Sequence, residues 1–369
     1  MRVAYVCADP GVPVFGVKGA SVHVQEMLRT FGRRGDEVEL VCVRAGGQPP
    51  ADLRGVRVHE VVGDDVAVAA QLRAMEPVDL VYERYSLAGR AGMAHAAARG
   101  VPGVLEVNSP LIDEQQRHRV LADRRAAKEV LRGAVADASV VVCVSDPVGA
   151  WVGNLTGATN VVVTPNGVDV GRIRPAATPP GEPFTVGFVG SFRPWHGLGT
   201  LLEAASQTPG IRLLLVGDGP TREGCERRAA APDLDGRVHF AGPRPPGDIP
   251  GLLHQMHVGV ATAPVDAGGY FSPLKVLEYL AAGLPVVATR TGPVEALVTH
   301  DHDALLVPAG DVPSLAAALA RLRDDPVLRV RLGSAARRSA LGRTWDAMLA
   351  RVLDTAMNQQ LLVGVSARG

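Results

Sequence analysis

Lys275 and Glu278 are the residues of this 369-residue chain whose types and spacing most plainly suggest chemistry. They lie in GGYFSPLKVLEYLAAGLPVVAT (268–289). Gly268 and Gly269 permit close backbone approach, Ser272 then Pro273 fits an N-cap and first helical position, and Gly283 then Pro285 fits the stop. PVVAT (285–289) reads as a buried strand. The intervening helix is nearly all apolar except for Lys275, Glu278 and Tyr279, and the first two share one stripe. A buried ammonium and carboxylate need partners. One arrangement supplies them: amides at the helix start and Lys275 hold a diphosphate, while Glu278 accepts two hydroxyl donors from a ribose diol. A plain Lys275–Glu278 pair on a half-exposed helix is the other reading of this stretch.

Other chemistry is thinner. Asp233-Leu234-Asp235 and Asp301-His302-Asp303 spell a metal–diphosphate tripeptide, but both fall in polar turns, and such tripeptides arise by chance. The histidines are scattered, and the pair His254 and His257 lacks a spaced partner set for zinc. No metal is expected. Cys7, Cys42 and Cys143 sit in apolar runs, and with Cys225 they form no CxxC pair, which favours a reduced, cytoplasmic protein. Arg117, Arg119, Arg124, Arg125, Lys128 and Arg132 crowd one helical segment with Asp123 and Glu129. A solvated face accounts for them; an anionic-lipid surface would need a bulky apolar face that is missing, so membrane contact is not expected.

These residues need a scaffold. With 47% hydrophobic and 21% charged residues, the chain can build real cores, and its length suggests two domains, perhaps three. Lys+Arg and Asp+Glu are 38 each, so no global field gathers nucleic acid, and no such partner is expected. The N-terminus MRVAYVCADP is broken too soon for a signal peptide, and no run of ~20 apolar residues suggests a membrane span. Strands are predicted at 2–8, 37–43, 78–82, 103–107, 139–144 and 160–164, then, after a restart, at 184–190, 211–216, 237–240, 258–262, 285–289 and 304–307. Val24, Met27, Leu28 and Phe31 mark one face of a helix after the first glycine loop. GRIRPAATPPGEP (171–183) suits a stiff linker. The expected architecture is α/β: two doubly wound, Rossmann-like domains, 1–170 and 184–345, facing across a cleft. A C-terminal helix (~346–369) is available to pack back on the first.

The stretch 268–289 resembles the donor-site signature of glycosyltransferase family 4, retaining enzymes of the GT-B fold. That signature has two glutamates with seven residues between them, then a small-residue helix end and Gly, x, Pro, Val, Val. Glu278 matches the second glutamate, which the resemblance assigns to the ribose; Tyr270 stands at the first, beside the transferred sugar. Tyr270 or Asp266 would then meet a sugar hydroxyl. The resemblance continues through Pro165-Asn166-Gly167-Val168-Asp169, GFVGSFRPWHGLGTLLEA (187–204), LLLVGDGP (213–220), VHFAGPRPP (238–246) and GASVHVQEMLRTFGRRGDEVELV (19–41). Five motifs in family order cover nearly the whole chain. It implies Arg193, Lys275 and Glu278 as catalytic residues. It implies a donor site from Gly190, His196, Gly217, Pro243, Arg244, Tyr270, Phe271, Ser272, Pro273 and Leu274. His196 stands where the family usually has a lysine, with Arg193 the nearby fixed cation.

The acceptor side would hold Gly16, Lys18, Gly19 and His23 from the first loop and helix, and Glu106 or Asn108 at a strand's carboxyl end. Glu106 and Asn108 would orient an acceptor hydroxyl, or else cap the following helix. Tyr82, Glu83, Arg84 and Tyr85 follow another strand end, where a structural ion pair is the favoured reading. The expected function is metal-independent, retaining transfer of a hexose from a nucleoside diphosphate sugar, a UDP-sugar first, to a small polar acceptor such as an aminocyclitol. No cofactor is implied. A sugar-nucleotide epimerase or hydrolase, or a non-catalytic sugar-nucleotide-binding protein, are the alternatives.

Overall fold

Most strand segments are dominated by apolar residues, as in VVVC (140–143), IRLLLV (211–216) and ALLV (304–307), which suits parallel sheets covered on both faces. The computed structural model describes residues 1–118, 120–265, 269 and 273–366, with only the backbone described at His118 and from residue 360 onward. Its first sheet holds β1 (Arg2–Cys7), β2 (Glu37–Cys42), β3 (Arg57–Glu60), β4 (Leu80–Arg84), β5 (Gly103–Val107), β6 (Val140–Cys143) and β7 (Val161–Val163). Their order is β3-β2-β1-β4-β5-β6-β7. The second holds β8 (Phe184–Val189), β9 (Ile211–Val216), β10 (Val238–Gly242), β11 (Val258–Ala261), β12 (Val286–Thr289) and β13 (Ala304–Val307), in the order β10-β9-β8-β11-β12-β13. The pairings are parallel. Strand order reverses between β1 and β4 and between β8 and β11. Loops leaving these neighbours part to opposite faces and open a crevice at the carboxyl ends.

All twelve predicted strands are present, within two residues of their expected ends. The unforeseen one is β3, a half-exposed edge strand without an apolar run. In the helix Gly19–Arg33, Val24, Met27, Leu28 and Phe31 are at most 1% exposed, on the face their spacing predicted. Gln25 of this helix donates from Nε2 to the Val14 and Gly16 carbonyls, 2.9 Å each, and so ties down the preceding glycine loop.

The chain crosses between the two sheets near residues 168 and 344. Val168 bridges to Thr344, and its N–H donates to the Arg343 carbonyl at 2.9 Å. Val168 and Ile173 pack in the core of the second sheet. Trp345, Met348, Leu349 and Val352, from the helix Trp345–Ser366, pack in the first with Tyr5 and Phe31. All four cysteines are buried and free, and burial pushes the Cys7 and Cys143 thiols up to about 12, which keeps them protonated and unreactive. Among the described residues no helix is long and apolar enough to cross a membrane.

Candidate active site

Between the sheets, at the carboxyl ends of their strands, lies a cleft of ≈ 990 Å³ lined by residues of both. Its second-sheet wall is built on two glycines. Gly190 ends β8 with φ +143° and Gly217 ends β9 with φ +136°, both strongly disfavoured for any side chain. A Cβ on Gly217 would fall 1.9 Å from the Gly190 carbonyl oxygen, and one on Gly190 would fall 2.9 Å from Lys275 Nζ. Bare backbone therefore makes the groove in which the ammonium lies.

Lys275 comes from the helix Leu274–Ala281, which follows β11. Its Nζ sits 3.9 Å from the centroid of the Phe188 ring, a cation–π contact. Among the described residues no carboxylate lies within 4 Å of it, so the plain Lys275–Glu278 pair does not form. Burial pushes its pKa down to about 7, with Glu278 pulling partly the other way. Burial likewise pushes the Glu278 carboxyl up to about 7, opposed by Arg172 and Lys275 and aided by Glu26. The helix begins at Leu274 with Pro273 in the cap position, one residue later than expected. Tyr279 of the same helix lies against Gly259; its hydroxyl accepts from the Val189 N–H at 2.8 Å and donates to the Val260 carbonyl at 3.4 Å. It wedges β8 and β11 apart at the point where strand order reverses.

Arg193 and His196 complete this wall. Arg193 lines the cleft with its guanidinium 5.7 Å from the Trp195 ring centre. His196 hydrogen-bonds through Nδ1 to the Ser191 carbonyl, and its own carbonyl accepts from Thr262 Oγ1 at 2.8 Å. Burial, then the nearby Lys275 and Arg193 charges, hold the imidazole down to about 3. The ring is therefore neutral, with its proton on Nδ1 and an acceptor lone pair on Nε2. Gly190, Gly217, Pro243, Arg244, Pro273, Leu274 and Glu278 also line the cleft. Tyr270, Phe271 and Ser272, with Asp266, lie outside the described residues.

The opposite wall belongs to the first sheet. Lys18, Gly19, His23 and Asn108 line it, as expected, and Asn108 presents Nδ2 and Oδ1 without a partner among the described residues. Glu106 does not reach the cleft. Its Oε1 accepts from Tyr82 at 2.7 Å and lies 2.7 Å from His23 Nε2, while Arg84 Nη1 stands 3.7 Å from Oε2. Burial raises this carboxyl, but His23, Arg84 and Tyr82 together more than offset it and hold it below the ordinary range. Glu106 is thus an ionised anchor behind His23, whose ring also meets Trp345 edge-on at 4.9 Å. Gly16 is likewise set back, packed on Pro13.

Several lining residues were not foreseen. Arg84 pairs with Glu106, as the ion-pair reading expected, but it also faces the cleft. Glu83 instead caps the helix Ala91–Arg99, accepting from Met93 N at 2.7 Å. Thr262 and Thr289 line the cleft next to the carboxyl ends of β11 and β12, a position that could have flagged them. Three of the four carboxylates in the two Asp-x-Asp tripeptides are engaged elsewhere. Asp233 pairs with Arg228 at 2.8 Å and Asp301 with Arg331 at 3.1 Å, while Asp303 accepts from Thr299 N and Ser339 Oγ, 2.7 Å each. Among the described residues no group of three or more His, Cys, Asp or Glu side chains is placed to hold a metal. Of the basic segment, Arg124 pairs with Asp113, Arg125 with Glu129, and Arg132 donates to the Leu155 carbonyl; Arg119 lies outside the described residues.

Known proteins share this arrangement. The family profile described as Glycosyltransferase Family 4 matches residues 17–172, and that described as Glycosyl transferases group 1 matches residues 183–325. A D-inositol 3-phosphate glycosyltransferase of Salinispora tropica is 26% identical, over 91% of this chain and 80% of that protein. The lipopolysaccharide core biosynthesis glycosyltransferase LpsD of Rhizobium meliloti is 32% identical, but the match spans only 55% of this chain and 58% of that protein. Anabaena HepE, solved with UDP-glucose, superposes with a TM-score of 0.70 at 19% identity, over 99% of this chain and all of that one, and so shares its fold. A GDP-mannose-dependent alpha-mannosyltransferase of Mycobacterium tuberculosis is 30% identical over 96% of this chain and 95% of its own length. An identity sustained from one end of both chains to the other, over two doubly wound sheets that share a cleft, means that the chain belongs to glycosyltransferase family 4 and is a glycosyltransferase of the GT-B fold.

Proposed function

We propose that the chain is a retaining, metal-independent hexosyltransferase that uses a UDP-sugar and glycosylates a hydroxyl of a small polar acceptor, such as an aminocyclitol or another secondary metabolite. The observation that carries this reading is the groove at Gly190 and Gly217, where Lys275 lies without a carboxylate partner among the described residues and Arg193 stands on the same cleft. A diphosphate supplies the missing negative charge. Lys275, Arg193 and the amides at the start of the helix Leu274–Ala281 stabilise the leaving diphosphate without a metal. Glu278 accepts from the ribose diol.

On the opposite wall Asn108 and His23 orient the acceptor hydroxyl. The acceptor oxygen forms its bond to the anomeric carbon on the face from which the diphosphate departs. The carbon–oxygen bond to the diphosphate breaks, and the acceptor proton passes to a diphosphate oxygen. No protein general base is then needed, in keeping with a His196 whose pKa, held down to about 3, makes it a weak base, and with a Glu106 already committed to His23 and Tyr82. The UDP-glucose complex of HepE supports the choice of uridine, and the inositol phosphate relative supports a polyol acceptor. The GDP-mannose-dependent relative favours GDP-mannose as a second donor to be tested beside it.

The test is transfer from UDP-hexoses and GDP-mannose to a panel of polyols in the presence of EDTA, with the product anomer read by NMR. Retained configuration and undiminished rate are expected. An inverted product, or a rate lost to EDTA and restored by magnesium, overturns the proposal.

A further inference from the structure

The crossing between the two sheets contains a charged group that the donor chemistry leaves unexplained. Arg172 lies on the chain passing from β7 to β8. Its Nη2 donates to Glu26 Oε1 at 2.7 Å, and its Nη1 donates to the Pro246 carbonyl at 3.0 Å. Glu26 sits on the helix Gly19–Arg33 of the first sheet, 1% exposed, and also accepts from Arg29 at 2.9 Å. Arg172 Nε and Glu26 Oε2 are buried without a partner among the described residues. Glu26, Asp169, Arg172, Leu274, Glu278 and Trp345 together line a cavity of ≈ 10 Å³, about enough for a single water.

We infer that Arg172 is a positioning residue for donor recognition: anchored by Glu26 across the domain interface, it holds Glu278 ready to accept the ribose hydroxyls. The inference rests on the ribose role of Glu278. Arg172 is half-buried and touches only Glu26 of the two carboxylates, so it acts on Glu278 through its charge across the small cavity they share. Glu26 Oε1 already accepts from Arg29 as well as Arg172, whereas Glu278 has no ion-pair partner among the described residues. The charges acting on Glu278 are Arg172 from the crossing, Glu26 from the first-sheet helix and Lys275 from its own helix. Asp169 shares the cavity, and Arg337 of the packed helix Pro326–Leu341 is engaged with the Ala281, Ile173 and Val170 carbonyls. Arg172 favours the ionised carboxylate that a diol requires, and Glu26 disfavours it. Ribose grip is therefore a property of the apposed domains rather than of the second domain alone.

The experiment measures affinity for UDP and for 2′-deoxyuridine diphosphate across pH, in wild type, Arg172→Gln and Glu26→Gln. In wild type the preference for UDP is lost on acidification, as Glu278 takes up a proton. Arg172→Gln removes support for the charge, so the loss moves to higher pH by about one unit. Glu26→Gln removes an opposing charge, so it moves to lower pH. An ordinary interface contact would move both variants the same way or neither, and either result overturns the inference. If Arg172→Gln does not fold by circular dichroism, Arg172→Met is measured in its place: an upward shift supports the inference, and no shift or a downward one overturns it. If wild type shows no ribose preference at any pH, the ribose role of Glu278 itself fails and takes the inference with it. If wild type shows the preference and the variants match it, only the role of Arg172 fails.

Discussion

Replacing Lys275 by methionine keeps the length and much of the apolar stem of the side chain and removes its charge. In the free protein the ammonium lies in the Gly190 groove, over the Phe188 ring, with a pKa pushed down to about 7. Near that pH, recovering its proton for an incoming diphosphate costs little. Two unit charges ~4 Å apart are worth about 4 kcal/mol at an effective dielectric of ~20. Arg193 and the helix start remain in the variant and recover part of this. UDP affinity should therefore fall by about 100- to 1,000-fold in calorimetric titration, each 1.4 kcal/mol being tenfold. Uridine, which lacks the phosphates, should bind both proteins alike. The pH dependence has a definite sign. Diphosphate favours the protonated lysine, so above about 7 wild-type binding must take a proton from solvent and should weaken with rising pH, by at most tenfold per unit. Lys275→Met should lack that slope. A variant that binds UDP within about threefold of wild type, or that keeps the alkaline slope, would remove Lys275 from the diphosphate site; threefold is only ~0.6 kcal/mol.

The same substitution should raise the melting temperature, since it removes a charge that burial disfavours. Wild-type stability should accordingly climb as pH rises from about 7 toward the ordinary lysine value of 10.5, because the unfolded chain then holds more protons than the folded one. Gly217→Ala introduces a Cβ 1.9 Å from the Gly190 carbonyl oxygen at φ +136°, so it should lower stability by about 2 kcal/mol or more in a thermal melt and weaken UDP binding as the groove spreads. Glu106→Gln leaves His23 and Arg84 without their shared carboxylate; acceptor kcat/KM should drop by about tenfold or more while UDP affinity stays unchanged, and a loss of UDP affinity would contradict its place on the acceptor wall.

Much of this was legible because parallel sheets write themselves as apolar runs between helical periods. β3 escaped because an edge strand with half-exposed side chains needs no such run. That Lys275 and Glu278 would stand out was legible because they interrupt an otherwise apolar helix, and both line the cleft. What stayed hidden was depth. Glu106 and Asn108 are two residues apart at the end of β5, and local spacing sends both the same way. Glu106 is still within the strand, where Tyr82 and His23 close over it, whereas Asn108 lies beyond the last residue and meets the cleft. Arg172 was hidden for a related reason. It sits in a stretch that reads as linker, and its partner Glu26 is 146 residues away on the other domain.

These buried charges argue for function because they run against stability. Lys275, Glu278 and His196 are all displaced toward their neutral forms by burial, so each lowers the stability that an apolar residue of similar size would provide. Other buried carboxylates are compensated, Glu106 by His23, Tyr82 and Arg84 and Asp303 by Thr299 and Ser339, although burial also pushes Glu83, away from the cleft, up to about 7. Lys275, Glu278 and His196 gather on one side of the cleft, and Asn108, whose Nδ2 and Oδ1 have no partner among the described residues, faces them from the other. A fold able to satisfy buried charge in one place and leaving it unsatisfied in another has a site whose missing partner arrives with the substrate. In the proposed reaction diphosphate supplies it for Lys275, a ribose diol for Glu278 and an acceptor hydroxyl for Asn108, and all three meet where both sheets present their carboxyl ends to the same space.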